Sequence, residues 1–238
     1  MRKINLIILL MIALTGCANK AMNEIEANLG AGLSLPKDGL SYLALGDSYT
    51  IGEAVPAEAS FPYQLAAGLT KQQIKTAAPT IIARTGWTTD ELIAAIKQRS
   101  LTQKFDIVTL LIGVNNQYRG YNIDTYRTEF VQLLNTALAY AGGNKRHVFV
   151  VSIPDWGVTP FAQGRDRSQI AREIDQYNAI NKEETLKAGV SYTDITPGSR
   201  NAATDAALVA TDGLHPSGKM YSEWVAKLLP EVVKSSPF

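Results

Sequence analysis

From Leu40 onward, short apolar runs alternate with longer amphipathic stretches, and this alternation restricts the possible folds more than any other feature of the sequence. Ser41–Gly46, Thr80–Arg84, Phe105–Ile112, His147–Ile153 and Val190–Asp194 have the length and composition of strands. Helical spacing runs through Phe61–Lys75, Thr88–Arg99, Asp124–Tyr140, Ser168–Lys187 and Pro216–Lys234. In the first of these, Phe61, Leu65, Leu69 and Ile74 fall near one face. Thr88-Thr89-Asp90-Glu91 reads as a capping box, while Gly142-Gly143 and Gly189 read as helix stops. Phe105–Ile112 is apolar almost throughout, as a strand covered on both faces must be. The pattern predicts an α/β fold, a five-stranded parallel sheet with helices on both faces. No repeat, low-complexity tract or linker interrupts it, so residues 40–238 form one domain, in keeping with a chain of 238 residues.

The first forty residues differ. Arg2 and Lys3 precede an unbroken apolar run, Leu6–Leu14, which suits a signal sequence and is too short for a permanent membrane span. Leu14-Thr15-Gly16-Cys17 follows at once. This resembles the lipobox of bacterial lipoproteins, and the chain's single cysteine stands at the required place. The resemblance implies cleavage after residue 16, lipidation of Cys17, and export to the bacterial envelope with attachment to a membrane through acyl chains. Residues 17–39 read as a tether, with a short helix at Asn23–Leu29.

Composition narrows the chemistry. Lys and Arg number 23 against 22 Asp and Glu, so no positive excess is available for a nucleic-acid backbone. One cysteine and two histidines exclude an intrachain disulfide and argue against a Cys/His zinc site; no metal or cofactor is expected.

In an open parallel sheet, sites form beyond the carboxyl ends of the strands. That rule gathers Gly46-Asp47-Ser48-Tyr49-Thr50, Thr85-Gly86-Trp87, Gly113-Val114-Asn115-Asn116, Pro154-Asp155-Trp156-Gly157 and Asp212-Gly213-Leu214-His215 at one edge. His147 falls at the opposite edge, beside Lys145 and Arg146, and reads as a surface residue. Acyl transfer needs a nucleophile, a base, a group that orients the base, and donors for an oxyanion. Ser48, His215, Asp212 and the Gly86/Asn115 pair can fill those roles.

These segments resemble the blocks of the SGNH, or GDSL-type, hydrolases. GDSYT matches the nucleophile block, Gly86 the glycine block, GVNN the asparagine block and DGLHP the Asp-x-x-His block, in the family's order. The resemblance implies a flavodoxin-like three-layer α/β/α fold with strand order 2-1-3-4-5. It also implies a serine esterase with a Ser48–His215–Asp212 triad, a backbone carbonyl sometimes sharing the task of Asp212. The oxyanion hole would comprise the Ser48 and Gly86 amides and the Asn115 side chain. Glycine at 86 would keep a side chain out of the path to the carbonyl. Two positions depart from the pattern: Tyr49 replaces the usual Leu, and Asn116 the usual Asp. Restoring the usual residue with Asn116→Asp is therefore expected to be tolerated.

Tyr49, Trp87, Tyr118, Arg119 and Trp156 lie near the expected mouth and are candidate substrate contacts, with ordinary loop packing as the alternative for the aromatics. The expected partner is an ester, acyl or O-acetyl, of a lipid or a glycan. Two other readings compete: a non-catalytic envelope lipoprotein that binds glycan or protein on the same fold, and a flavin-binding flavodoxin-like protein. The latter would need a phosphate-binding loop, which GDSYTIGE fits only loosely.

Overall fold

The computed structural model describes residues 35, 36, 38–236 and 238. The Leu6–Leu14 run, Cys17 and the expected Asn23–Leu29 helix lie outside them.

Five strands form one parallel sheet: β1 (Tyr42–Gly46), β2 (Thr80–Ala83), β3 (Ile107–Leu111), β4 (Val148–Val151) and β5 (Ser191–Thr193). Their order is β2-β1-β3-β4-β5, as the family resemblance implied. Every side chain of β1, β3 and β4 is buried, which explains why these strands read as continuous apolar runs. The one polar side chain among them, Thr109, is 2.9 Å from the Tyr42 hydroxyl, so its oxygen is satisfied within the core.

Eight α-helices fill the connections among the described residues: α1 (Ser48–Ile51), α2 (Phe61–Lys71), α3 (Thr89–Arg99), α4 (Val114–Tyr118), α5 (Ile123–Tyr140), α6 (Arg167–Lys187), α7 (Thr196–Ser199) and α8 (Gly218–Lys234). Helices α2 and α8 pack together, while α5 packs between α3 and α6. With helices on both sides of the sheet, this is the expected three-layer architecture.

Four of the five expected helices start one or two residues from the sequence reading, and their caps explain the shifts. Asn122 accepts from the Asp124 and Thr125 amides, so α5 opens at Ile123. Asp166 accepts from the Gln169 amide and starts α6 at Arg167. Ser217, and not Pro216, caps α8. The largest shift is at α2, which stops at Lys71 and not at Lys75. There Gln73 adopts φ 65° and the Ile74 amide returns to the Leu69 carbonyl. Glutamine in the left-handed region carries no stop signal in the sequence. The four- and five-residue helices α1, α4 and α7 are too short for a periodicity to reveal.

The register of β2, β1 and β3 positions the site. Gly46 at the end of β1 pairs with Ala83 of β2 and with Leu111 of β3. The three strands therefore end level, and their loops leave the sheet side by side. Ser48, Gly86 and Asn115 each follow within a few residues.

Candidate active site

Ser48 opens α1 immediately beyond β1 and is buried on the floor of a cleft. The turn into α1 is held by Asp47, whose Oδ1 accepts from the Tyr49 amide at 3.0 Å. Gly46 permits the turn: a Cβ there would lie 2.4 Å from the Leu111 carbonyl oxygen and 2.1 Å from Thr50 Oγ1. Gly52, at φ 77°, closes the short helix by donating to the Ser48 carbonyl.

His215 enters the same cleft from a tight loop before α8. The Ala210 amide donates to the His215 carbonyl at 2.8 Å, and the Gly213 amide to the Ala210 carbonyl at 3.0 Å. Asp212 Oδ1 accepts from the Leu214 and His215 amides, each at 3.0 Å. Its Oδ2 lies 2.5 Å from His215 Nδ1. A ring whose Nδ1–H donates to this carboxylate keeps Nε2 as an acceptor, the tautomer a base needs. Burial pushes the Asp212 carboxyl upward, but hydrogen bonds from the His215 ring and the Leu214 and His215 amides outweigh it and hold the group below the usual range. Tyr49 packs against His215, with ring centroids 5.6 Å apart.

The two loops expected to supply oxyanion donors are tied together. Asn115 Nδ2 donates to the Trp87 carbonyl at 3.0 Å, which fixes the amide plane; Asn115 also lines the cleft. Asn116 is fully buried; its Oδ1 accepts from the Thr89 amide at 3.1 Å and its Nδ2 donates to Thr89 Oγ1 at 2.7 Å. The Thr89 hydroxyl in turn donates to Glu129. Arg119 Nη2 donates to the Gly86 carbonyl at 2.6 Å. Gly86 has φ 84°, and a Cβ there would meet only Arg119 Nη2, at 3.5 Å. The left-handed backbone conformation by itself calls for glycine at 86.

Ser48, Gly86, Asn115 and His215 line one cleft of about 170 Å³ with Tyr49, Thr85, Val114, Tyr118, Trp156, Phe161 and Leu214. Of the expected substrate contacts, Tyr49, Tyr118 and Trp156 are there. Trp87 and Arg119 are not among the lining residues. Trp87 is half-buried against the core and contributes its carbonyl to Asn115, while Arg119 is engaged with Gly86 and, at 3.4 Å, with Glu91. Trp156 is held by Nε1 donation to Gln117 Oε1 at 2.8 Å. Its loop is anchored by buried Asp155, which pairs with Arg200 at 2.9 Å. His147 lies beside Asn144, before β4 and away from the cleft. Phe161 escaped the sequence reading because it follows β4 by ten residues in an irregular turn. Its amide donates to the Gly213 carbonyl at 2.9 Å, which brings the turn to the Asp212–His215 loop.

The profile of the GDSL-like lipase/acylhydrolase family matches residues 44–222. The chain belongs to that family. Three solved structures illustrate the shared fold. The structure of TesA superposes with a TM-score of 0.64 at 15% identity, covering 82% of this chain and 99% of its own. Axe2, an acetylxylan esterase from Geobacillus stearothermophilus, gives a TM-score of 0.64 at 20% identity, covering 83% and 96%. The psychrotrophic esterase EstA from Pseudoalteromonas sp. gives 0.60 at 15%, covering 82% and 97%. No curated protein matches the sequence significantly.

Two consequences of this site can be measured. The Asp47 carboxyl is fully buried, its Oδ2 has no hydrogen-bond partner, and burial pushes its pKa up to about 7. An unfolded aspartate titrates near 3.9, so between about pH 4 and 7 the folded chain binds the extra proton and stability falls as pH rises. Asp47→Asn keeps an acceptor for Tyr49 and removes the titration. Urea denaturation across pH 4.5–8 is expected to give a steeper alkaline loss for the wild type than for the variant; parallel profiles would contradict it.

The second concerns the residue that departs from the family pattern. Asp at 116 would set a second carboxylate on Thr89, whose single hydroxyl proton already serves Glu129. Contrary to the expectation from the family pattern, Asn116→Asp is expected to destabilise the fold, by about 1–3 kcal/mol. Adding Glu129→Gln should recover most of the loss in denaturant midpoint. An unchanged midpoint in the single variant would show that Thr89 does not couple the two positions.

Proposed function

We propose that this protein is a lipid-anchored serine esterase of the bacterial envelope that removes short acyl groups, O-acetyl above all, from lipid or glycan alcohols. The observation that carries this reading is the Asp212–His215 pair, set in the same cleft as Ser48 and braced by the loop's own amides. Ser48 Oγ attacks the ester carbonyl while His215 Nε2 takes its proton. The Ser48 and Gly86 amides and the Asn115 amide receive the oxyanion. Collapse of the tetrahedral intermediate breaks the bond to the alcohol oxygen, which leaves with the proton from His215. Water, deprotonated by His215, then attacks the acyl-enzyme and releases the acid and Ser48.

Cleft size supports a short acyl chain. About 170 Å³ is close to the volume of an engineered apolar cavity that takes one benzene, about 150 Å³. The acetylxylan esterase among the structural relatives is in keeping with an O-acetyl substrate. The lipobox at Leu14–Cys17 supports the anchor and the envelope location.

Hydrolysis of p-nitrophenyl esters is the direct test. Acetate and butyrate should be cleaved with higher kcat/KM than decanoate or palmitate. Ser48→Ala and His215→Gln should each lower kcat on the order of 10⁴-fold, and the double variant should be little worse than either. Asn115→Ala should cost on the order of 10²-fold, chiefly in kcat. A wild type without activity on any of these esters would favour the non-catalytic lipoprotein reading.

The anchor is tested separately. Radiolabelled palmitate should be incorporated into the wild type, and Cys17→Ser should abolish both labelling and cleavage of the precursor. Normal processing in that variant would remove the anchor and leave the catalytic reading standing.

A further inference from the structure

Beside the catalytic cleft lies a larger, more polar one of about 450 Å³, and Tyr118 and Trp156 line both. Arg165 lines the second. Its guanidinium carbon is 5.1, 5.4 and 5.6 Å from the ring centroids of Tyr118, Trp156 and Phe161. The three rings pack on one another with centroids 5.4 to 6.2 Å apart. Arg165 Nη2 also donates to the Tyr118 hydroxyl at 3.0 Å. Aromatic faces and a phenol thus hold this cation in place, and among the described residues it makes no ion pair. Two other arginines are already spent: Arg119 on Gly86 and Glu91, and Arg200 on Asp155 and Asp175. The carboxylates of the polar cleft are engaged as well. Glu173 accepts from Gln117 and Gln169, and Asp166 caps α6.

A guanidinium held among three rings and a phenol, with most of its five N–H donors uncommitted, is preorganised to receive a carboxylate or phosphate. We propose that Arg165 binds an oxyanion carried on the alcohol portion of the ester, so that the enzyme prefers acidic substrates. This rests on the esterase reading above. The small apolar cleft takes the acyl group, and the alcohol portion extends across Tyr118 and Trp156 into the polar cleft. Glu173 and Asp166 repel an anion from the remainder of that cleft and confine it to Arg165.

Matched aryl acetates test this: para-acetoxybenzoate and para-acetoxyphenyl phosphate against neutral methyl para-acetoxybenzoate. Arg165→Met should lower the anionic-to-neutral ratio of kcat/KM about tenfold at low salt, mainly through KM, and Arg165→Lys should lower it less. The wild-type ratio should fall with added salt. The anion whose ratio falls further is the preferred group. Arg172→Met, which removes an exposed charge lining neither cleft, should keep the wild-type ratio. Equal ratios in the wild type and Arg165→Met would overturn the proposal while leaving the esterase reading intact. Calorimetric titration of Ser48→Ala with para-hydroxybenzoate reads the same site without catalysis. Binding there that Arg165→Met weakens supports the proposal even for a chain that cleaves nothing, and binding that it leaves unaltered overturns it.

Discussion

Everything at the site depends on three parallel strands ending level. Because Gly46 pairs with both Ala83 and Leu111, the loops carrying Ser48, Gly86 and Asn115 begin from one line. The order β2-β1-β3-β4-β5 places a topological switch beside β1, where loops diverge to opposite faces and open a crevice. A shift of one residue in either pairing would move a donor by about 3.3 Å, more than the tolerance of a hydrogen bond. Such a shift would also break the close packing of the side chains buried on both faces of β1 and β3.

Level strands bring the loops together but do not fix their polar groups. Polar ties do that. Asn115 is fastened to the Trp87 carbonyl, Asn116 to Thr89, and Arg119 to the Gly86 carbonyl, so the loops after β2 and β3 are joined side by side. Gly213 is joined by the Phe161 amide to the turn that follows β4. The cleft-lining polar groups are therefore held in place before any ligand arrives, the property that the proposed esterase chemistry needs of its oxyanion donors. The cost is concentrated at Asp47, a buried carboxyl with one oxygen unpartnered next to Ser48.

The fold was legible in the sequence because burial on both faces leaves a strong mark in β1, β3 and β4, and helical periodicity fills the intervals between strands. That Ser48, Gly86, Asn115 and His215 share one cleft was legible because each follows a strand end within a few residues or belongs to the Asp-x-x-His block. Side-chain direction was not legible. Trp87 and Arg119 sit at the right positions along the chain, yet Trp87 packs on the core and Arg119 points to Gly86. Nor could the sequence reveal that Glu129, on a different helix, takes the proton of Thr89 and so changes what Asn116 can be replaced by. Phe161 and Arg165 follow no strand end, and only the packing of three rings makes them neighbours of the cleft.

The sequence by itself determined the layer architecture, the edge of the sheet where the cleft opens and the residue types present there. Those follow from local periodicity and chain order, which every residue reports independently. Tertiary structure alone decided which side chains enter the cleft, how large it is, and which charges are already neutralised. These depend on contacts between residues tens of positions apart, as from Arg119 to Gly86, from Thr89 to Glu129 and from Arg165 to Tyr118, and no local pattern encodes such distances.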